Sequence, residues 1–341
     1  MKKSILMLSA IASLAILGGA GCNSSGKTDV GLLYCSAEAN SKYQVDVVKA
    51  ELEERHLSVK EIKFSDSNDI QSVLSGSINS VKTLYIPTDN TCASNAEIIN
   101  NVVRGNKVPV FAGEEGICLG CGAITLSISY YNIGVETGKM AVDVLLGKKD
   151  IKEMPISYDS DPVKKYNKSF CEEVGIKVPE GYIELGQESA SGSSVLDGVT
   201  FQNSGNAKFK IGISQLVTHV ALDAATKGFQ DAVKKGLGEA NVEFDLQNAA
   251  GQADICTTIA NNFVAHGYDL IMANATPALQ AAANSTTTIP ILGTSVTDYG
   301  VALAISDFNG TVGRNISGTS DLAPLNKQAE MLVDVFADFL K

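Results

Sequence analysis

One pattern of buried strands and amphipathic helices occurs twice in the chain. Residues 30–34 form a continuous apolar run, typical of a parallel strand buried on both faces, and the second half opens on a similar run around Gly212. A proline that begins a later strand follows at the same distance in both halves, since Gly31 and Pro109 are 78 positions apart and so are Gly212 and Pro290. Strands that alternate with helices form parallel sheets. The repeat predicts an α/β fold with two doubly wound lobes rather than one (β/α)8 barrel.

Length and composition agree with two lobes. The chain has 341 residues, whereas single hydrophobic cores stop growing at about 250–300 residues. It is 45% hydrophobic, which excludes a mainly disordered chain. Its formal net charge is −11 and no segment is dense in lysine or arginine, so we expect no nucleic-acid partner. A polar stretch at 186–206, rich in Ser, Gly, Asn and Gln, separates the halves as a linker or a long surface loop.

The amino terminus is typical of an export signal. Lys2 and Lys3 precede an apolar run at 5–17 and the small residues 18–21, and a run of 13 residues is too short to span a bilayer. The residues before Cys22 resemble a bacterial lipobox, although Gly replaces the usual Leu three positions before the cysteine. We expect an exported protein that is anchored to the extracytoplasmic face of the cell membrane by a lipid on Cys22. The alternative is plain secretion with an unmodified thiol.

Several motifs resemble one known family. The stretches 34–41 (YCSAEANS), 85–91 (YIPTDNT) and 273–281 (ANATPALQA), together with 129–134 and 318–322, resemble the extracytoplasmic substrate-binding proteins of ABC transporters. The subgroup includes tryptophan- and tyrosine-binding lipoproteins. The resemblance implies a type I periplasmic-binding-protein-like fold with two lobes joined by a hinge. It also implies an aromatic amino acid as ligand and an ABC permease as partner.

The order of the halves differs from that of the family, whose members resemble 208–341 first and 29–183 second. We therefore expect a circular permutation that leaves Lys341 close to Asp29. The resemblance also implies that the chain crosses between lobes, so that the helix at 325–340 packs on the first lobe and the helix after Ile133 packs on the second. The expected division is a signal peptide (1–21), a tether (22–28), lobe A (29–127 with helix 324–341), crossing and return segments (128–183), a linker (184–206) and lobe B (207–323).

Polar side chains follow the predicted strands of both halves. Ligands of open α/β sheets bind outside the carboxyl ends of the strands. In lobe B, Thr276 begins a helix whose N–H groups suit a carboxylate, Ser295 and Thr297 offer hydroxyls, and Asp298 offers an acid for an ammonium group. Each of these residues has a helix cap as its alternative role. The candidates expected in lobe A are Ser36, Glu38, Asn40, Thr88, Asp89, Asn90 and Glu114.

His219 and four aromatic residues are weaker candidates. By resemblance His219 lies in a cleft loop, and its alternative is a helix-entry residue without a ligand. An aromatic ligand could stack on an aromatic ring near the strand ends, although such rings more often belong to the core. The rings in question are Tyr130, Tyr131, Tyr299 and Phe111.

Enzyme function has little support. Cys118 and Cys121 form a C-x-x-C, but no second pair and no nearby histidine completes a metal set. We expect the segment to be a glycine-rich loop with a disulfide or two free thiols. The sequence has no G-x-S-x-G, no phosphate-binding loop and no H-E-x-x-H. We therefore expect a protein without catalysis, metal or cofactor. The alternatives are a receptor for another polar solute, a signalling sensor, and a redox or hydrolytic enzyme.

Overall fold

The computed structural model describes residues 26–159, 161–186, 195–202 and 207–339. The predicted signal, Cys22, part of the linker and Lys341 lie outside these residues, so the expectations about them stay predictions. Within the described ranges, no helix has the length and apolar character that a membrane crossing requires.

Lobe A is built on a seven-stranded sheet in the order β2-β1-β3-β4-β5-β7-β8. Its pairs are parallel except β5 with β7. Apolar strands alternate with helices whose apolar faces cover the sheet, which gives one continuous core. The strands are β1 Thr28–Cys35, β2 Val59–Phe64, β3 Val81–Ile86, β4 Val110–Ala112, β5 Ile124–Ser127, β7 Val163–Tyr166 and β8 Ile183–Glu184. The helices are α1 Ala39–Glu54, α2 Ile70–Ser77, α3 Asn90–Ser94, α4 Ala96–Gly105, α5 Glu115–Cys121 and α7 Lys168–Val174.

Lobe B is built on a six-stranded parallel sheet in the order β10-β9-β11-β12-β13-β6. Its first five positions repeat the order of lobe A. The prediction of two equivalent doubly wound lobes is therefore confirmed, and two separate sheets rule out a single barrel. The strands are β6 Ser157–Tyr158, β9 Phe209–Gln215, β10 Val242–Asn248, β11 Leu270–Asn274, β12 Ile291–Val296 and β13 Ile316–Ser320. The helices are α8 Val220–Leu237, α9 Ala253–Ala265, α10 Thr276–Ser285 and α11 Tyr299–Ala302.

Two further helices, α6 (Tyr130–Leu145) and α12 (Leu325–Phe339), cross between the lobes. Helix α6 leaves β5 of lobe A and packs on α8, where a Cβ on Gly134 would lie 2.1 Å from the carbonyl oxygen of Ala225. Only glycine permits this close approach of the two helices. Helix α12 follows β13 of lobe B and joins the core of lobe A. The buried amide of its Gln328 donates to the carbonyl oxygens at the ends of β4 and β5.

Two local expectations differ from the structure. The C-x-x-C segment is the end of helix α5 rather than a loop, since Glu114 caps that helix. Part of the polar linker packs on lobe B, where Val199 is buried against Val135 and Ala232.

Candidate functional site

The carboxyl ends of the strands of both lobes face one another. Helix α1 of lobe A contacts α11 of lobe B, and α5 contacts α8. A Cβ on Gly116 in α5 would lie 3.4 Å from the Cβ of Val220 in α8. We call the region between the lobes the cleft. It is the place where the topology rule expects a ligand.

In lobe A, Glu38 holds the start of helix α3. Its carboxylate accepts hydrogen bonds from the backbone N–H and side chain of both Asn90 and Thr91, at 2.6–3.2 Å. Burial, with a contribution from Asp89, raises the pKa of Glu38 to about 7. The predicted candidates Glu38 and Asn90 are thus brought together, and they bond to each other.

Asp89 is buried and joins β1 to α3. One carboxylate oxygen accepts from the N–H of Cys35 and the other from the N–H of Cys92, both at 2.7 Å. Both oxygens are therefore engaged inside lobe A. Burial raises the pKa of this carboxyl group.

The backbone of Thr88 is fixed by helix α1. Its carbonyl oxygen accepts from the side chains of Asn40, Ser41 and Gln44, and its N–H donates to the Gln44 side chain. The buried side chain of Asn40 therefore already has a partner, the backbone of the loop that contains Thr88. Ser36 is exposed, and its hydroxyl donates to the carbonyl oxygen of Phe64 at the edge of the sheet.

Glu114 follows β4 and caps α5. Its carboxylate accepts from the N–H groups of Gly116 and Ile117. Burial raises its pKa to about 7, and the nearby charge of Asp321 contributes to the rise. A buried acid of lobe A thus lies close to a buried acid of lobe B.

In lobe B the backbone is strained at the ends of two neighbouring strands. Ala275, after β11, has φ 92° and ψ 158°, and Ser295, in β12, has φ 53°. Non-glycine residues in such conformations cost of the order of 1–3 kcal/mol and concentrate at functional sites. Ser295 is buried, and its hydroxyl has no hydrogen-bond partner among the described residues.

The other lobe B candidates are two buried threonines and one acid that caps a helix. Thr276 is buried in the first turn of α10, with Pro277 after it; the N-cap position is Ala275 and no side-chain hydrogen bond caps the helix, so Thr276 is not its cap. The hydroxyl of Thr297 lies beside the carboxylate of Asp321. Asp298 is half-buried and caps α11 by accepting from the N–H of Val301. Its carboxylate therefore has the capping role, which is the alternative to ligand binding.

His219 connects the two lobes. Its Nε2 lies 3.3 Å from the side-chain oxygen of Asn90 in lobe A. Its Nδ1 is buried and has no hydrogen-bond partner in the part of the chain that is described. Burial lowers the pKa of the imidazole to about 4, so the ring is neutral at neutral pH.

The aromatic candidates are mostly core residues. The ring of Tyr299 packs over Gly293 and Gly318, and its hydroxyl donates to the carbonyl oxygen of Thr319. Phe111 lies in the core of lobe A, and Tyr131 donates to Asp231 on α8. Tyr130 differs, because its buried hydroxyl donates to Asp321.

All six described cysteines are free and buried. Burial raises the pKa of Cys118 and Cys121, so their thiols stay protonated and unreactive. Among the described residues, no group of three or more His, Cys, Asp or Glu is arranged to hold a metal ion.

Two buried polar residues beside the strand ends, Asp321 and Gln44, are not among the candidates that the sequence predicts. Asp321 follows β13. The rule applied to the other strands would have found it at the carboxyl end. Gln44 lies within helix α1, and no local signal marks it, because its partner Thr88 is 44 positions away.

Comparison with known proteins gives the family. The sequence model described as ABC transporter substrate binding protein matches residues 26–189 and 210–340. The chain belongs to this family of substrate-binding proteins. Proteins of the family act outside the cytoplasm.

Individual relatives match part of the chain in sequence and nearly all of it in fold. The tyrosine-binding protein of Clostridioides difficile strain R20291 is 39% identical over 128 residues, which are 38% of this chain and 37% of that protein. The chain thus spans little more than a third of that relative. An ABC domain from Streptococcus pneumonia, solved in complex with L-Trp, is 30% identical over 46% of this chain and 56% of its own, with a TM-score of 0.43. A solute-binding protein from Mycobacterium smegmatis with bound glycerol covers 92% of this chain and 88% of its own at 14% identity and a TM-score of 0.57, which shows the shared fold.

Proposed function

We propose that the chain is the extracytoplasmic binding component of an ABC importer and captures an aromatic amino acid in the cleft. The observation that carries the proposal is the set of buried polar side chains at the carboxyl ends of both sheets, with acids in both lobes and hydroxyls in lobe B. The tyrosine-binding relative and the family membership support the ligand class.

The mechanism is closure of the lobes about the crossing segments. A ligand that contacts both lobes favours the closed arrangement, because only there can it make both sets of contacts. The contact between His219 and Asn90 joins the lobes directly. The closed form then docks on the permease.

Calorimetry against the twenty amino acids, nucleosides and sugars tests the proposal. We expect binding of an aromatic amino acid in the micromolar range or tighter, with the ligand recovered unchanged. Binding of sugars or nucleosides without any amino acid would refute it. Conversion of the bound compound would point to the enzyme alternative.

We further propose that Cys22 carries the lipid anchor. The support is the sequence pattern of the first 22 residues. Mass spectrometry of the mature protein should find an acylated Cys22 at the amino terminus, and Cys22→Ser should release the protein from the membrane. An unmodified thiol in the wild type would favour plain secretion.

The exchanged order of the halves is also a proposal. An exchanged order would let an ordered alignment follow only one half, and the tyrosine-binding relative aligns over 38% of this chain. A chain in which residues 208–341 precede 29–183 should fold to a similar stability and bind the same ligand. Failure of that chain to fold, beside a folding wild type, would count against the permutation.

A further inference from the structure

Two buried carboxyl groups lie near each other where the lobes meet. Glu114 follows β4 of lobe A and is 2% exposed, and Asp321 follows β13 of lobe B and is 3% exposed. They are close enough for the charge of Asp321 to raise the pKa of Glu114. Buried like charges are unfavourable unless a proton or a cation compensates them.

Only one of the two oxygens of the Asp321 carboxylate has a hydrogen-bond partner among the described residues. Its Oδ2 accepts a hydrogen bond of 3.0 Å from the hydroxyl of Tyr130. Its Oδ1 is enclosed, and no described residue forms a hydrogen bond with it. The described ion pairs of the chain all involve other acids. Burial therefore raises the pKa of Asp321, although Tyr130 and Thr297 oppose the rise.

The other acids of the cleft differ in this respect. Glu38 accepts four hydrogen bonds from Asn90 and Thr91, Asp89 accepts two from backbone N–H groups, and Glu114 caps α5. A helix cap or a backbone contact explains each of them without a ligand. The Oδ1 atom of Asp321, by contrast, is buried and accepts no hydrogen bond from any described residue.

The position of Asp321 connects it to the movement of the lobes. Asp321 lies between β13 and α12, and Tyr130 lies at the start of α6, so both are on segments that cross between the lobes. Tyr130 packs with Ala323 and Ala225 in one buried hydrophobic cluster. This packing holds the two crossing segments together. A group bound at Asp321 therefore touches the part of the chain about which closure occurs.

We propose that Asp321 binds the ammonium group of the ligand and that Glu114, whose ionised form the bound ammonium group favours, then supplies a second negative charge from the facing lobe. The proposal rests on the proposed function and narrows it to ligands that carry a cationic amine. The ammonium group supplies the donor that Oδ1 lacks and neutralises the repulsion between the two acids. A hydrogen-bonded, buried charge pair of this kind contributes strongly to affinity.

The test compares amine-bearing and amine-free ligands in three proteins: the unmodified chain, one variant and one control. The probes are L-tyrosine and L-tryptophan, their deaminated acids, and tyramine and tryptamine. The variant is Asp321→Asn, which keeps the shape, and the control is Glu243→Gln, an exposed acid on β10 of the same lobe. We expect the unmodified protein and the control to lose at least about thirtyfold in affinity when the amine is removed. The Asn variant should lose about as much for the amino acid and little for the deaminated acid.

Thermal unfolding of the unliganded proteins separates recognition from a structural role. An acid needed for folding would lower the melting temperature when replaced, whereas removal of a buried, half-satisfied charge should leave the melting temperature unchanged or raise it. A lower melting temperature of Asp321→Asn, with unaltered relative affinity for the probes, would overturn the proposal.

The outcomes distinguish this proposal from the proposed function. If an amino acid binds and Asp321→Asn binds it equally well, the role of Asp321 is refuted and the proposed function stands. If only tyramine or tryptamine binds and the variant loses that binding, the ammonium site stands and the amino-acid receptor is refuted. If no amine-bearing probe binds, both are refuted.

Discussion

The strand ends of the two lobes are built differently, although their sheets share one topology. In lobe A the polar side chains bond to one another and to the backbone: Glu38 to Asn90 and Thr91, and Asp89 to the ends of β1 and α3. In lobe B, by contrast, several buried polar atoms have no partner among the described residues. They are Ser214 Oγ, His219 Nδ1, Asn274 Oδ1, Ser295 Oγ and Asp321 Oδ1, whereas the described strands of lobe A have one such atom, Thr125 Oγ1 in β5.

The backbone shows the same contrast. The two strained residues beside the cleft, Ala275 and Ser295, both belong to lobe B. Unsatisfied buried groups and strain cost stability, and proteins retain them where they serve recognition. We infer that lobe A presents a rigid surface whose polar side chains at the strand ends are already hydrogen-bonded within the lobe. Lobe B carries the groups whose hydrogen-bond partners come from the ligand. Four substitutions can break or sharpen this comparison.

The largest expected effect is in lobe A. Asp89→Ala leaves two buried N–H groups without acceptors and should reduce the free energy of unfolding by about 3 kcal/mol. The control is Asp66→Ala, an exposed cap of the same chemistry, with an expected loss of about 1 kcal/mol or less. Urea unfolding measures both. Equal losses would mean that Asp89 is no more integrated into lobe A than a surface cap.

Glu114 should make stability depend on pH. The folded chain holds this proton more tightly than the unfolded chain, because burial raises the pKa from 4.5 to about 7. Stability contributed by this group therefore falls as the pH rises from about 4.5 to about 7, by on the order of 3 kcal/mol.

In Glu114→Gln this part of the decline should disappear from unfolding curves recorded between pH 5 and pH 8. Glu54→Gln, at an exposed position on α1, should keep it. An unchanged pH profile in Glu114→Gln would show that the acid is not held protonated.

The strain at Ala275 should be relieved by glycine. Ala275→Gly is expected to raise the free energy of unfolding by about 1 kcal/mol, since its φ of 92° favours glycine. Ala282→Gly, in the buried interior of α10, should lower it by about 1 kcal/mol or more. If both substitutions destabilise equally, lobe B does not store strain at this position.

The smallest expected effect is at His219. His219→Ala removes one hydrogen bond between the lobes and should weaken ligand binding by about threefold to fivefold, with little change in unfolding. Because the pKa of His219 is about 4, the effect should be constant from pH 6 to pH 8. His266→Ala, at the exposed end of α9, is the control in the same calorimetric titration. A larger loss of ligand affinity in His266→Ala than in His219→Ala would show that the contact between His219 and Asn90 does not contribute to binding.

Much of the fold could be predicted because its signals are local. Apolar runs such as residues 30–34 and the equal spacing in both halves determine two doubly wound sheets, since burial on both faces requires such runs. Glu114 and Asp89 were placed at strand ends by the same pattern. The expectation of a loop at the C-x-x-C segment was wrong, because the cap at Glu114 that begins helix α5 depends on backbone angles that composition does not reveal.

The sequence by itself determined the two lobes, the edge of each sheet that carries polar residues, and the kind of groups found there. Only the tertiary structure decided which of those groups are already bonded. The partners are far apart in sequence: Glu38 meets Asn90 over 52 positions, and Asp321 meets Tyr130 over 191. A carboxylate therefore becomes a cap or a binding group according to which distant segment packs against it, and no local pattern records that packing.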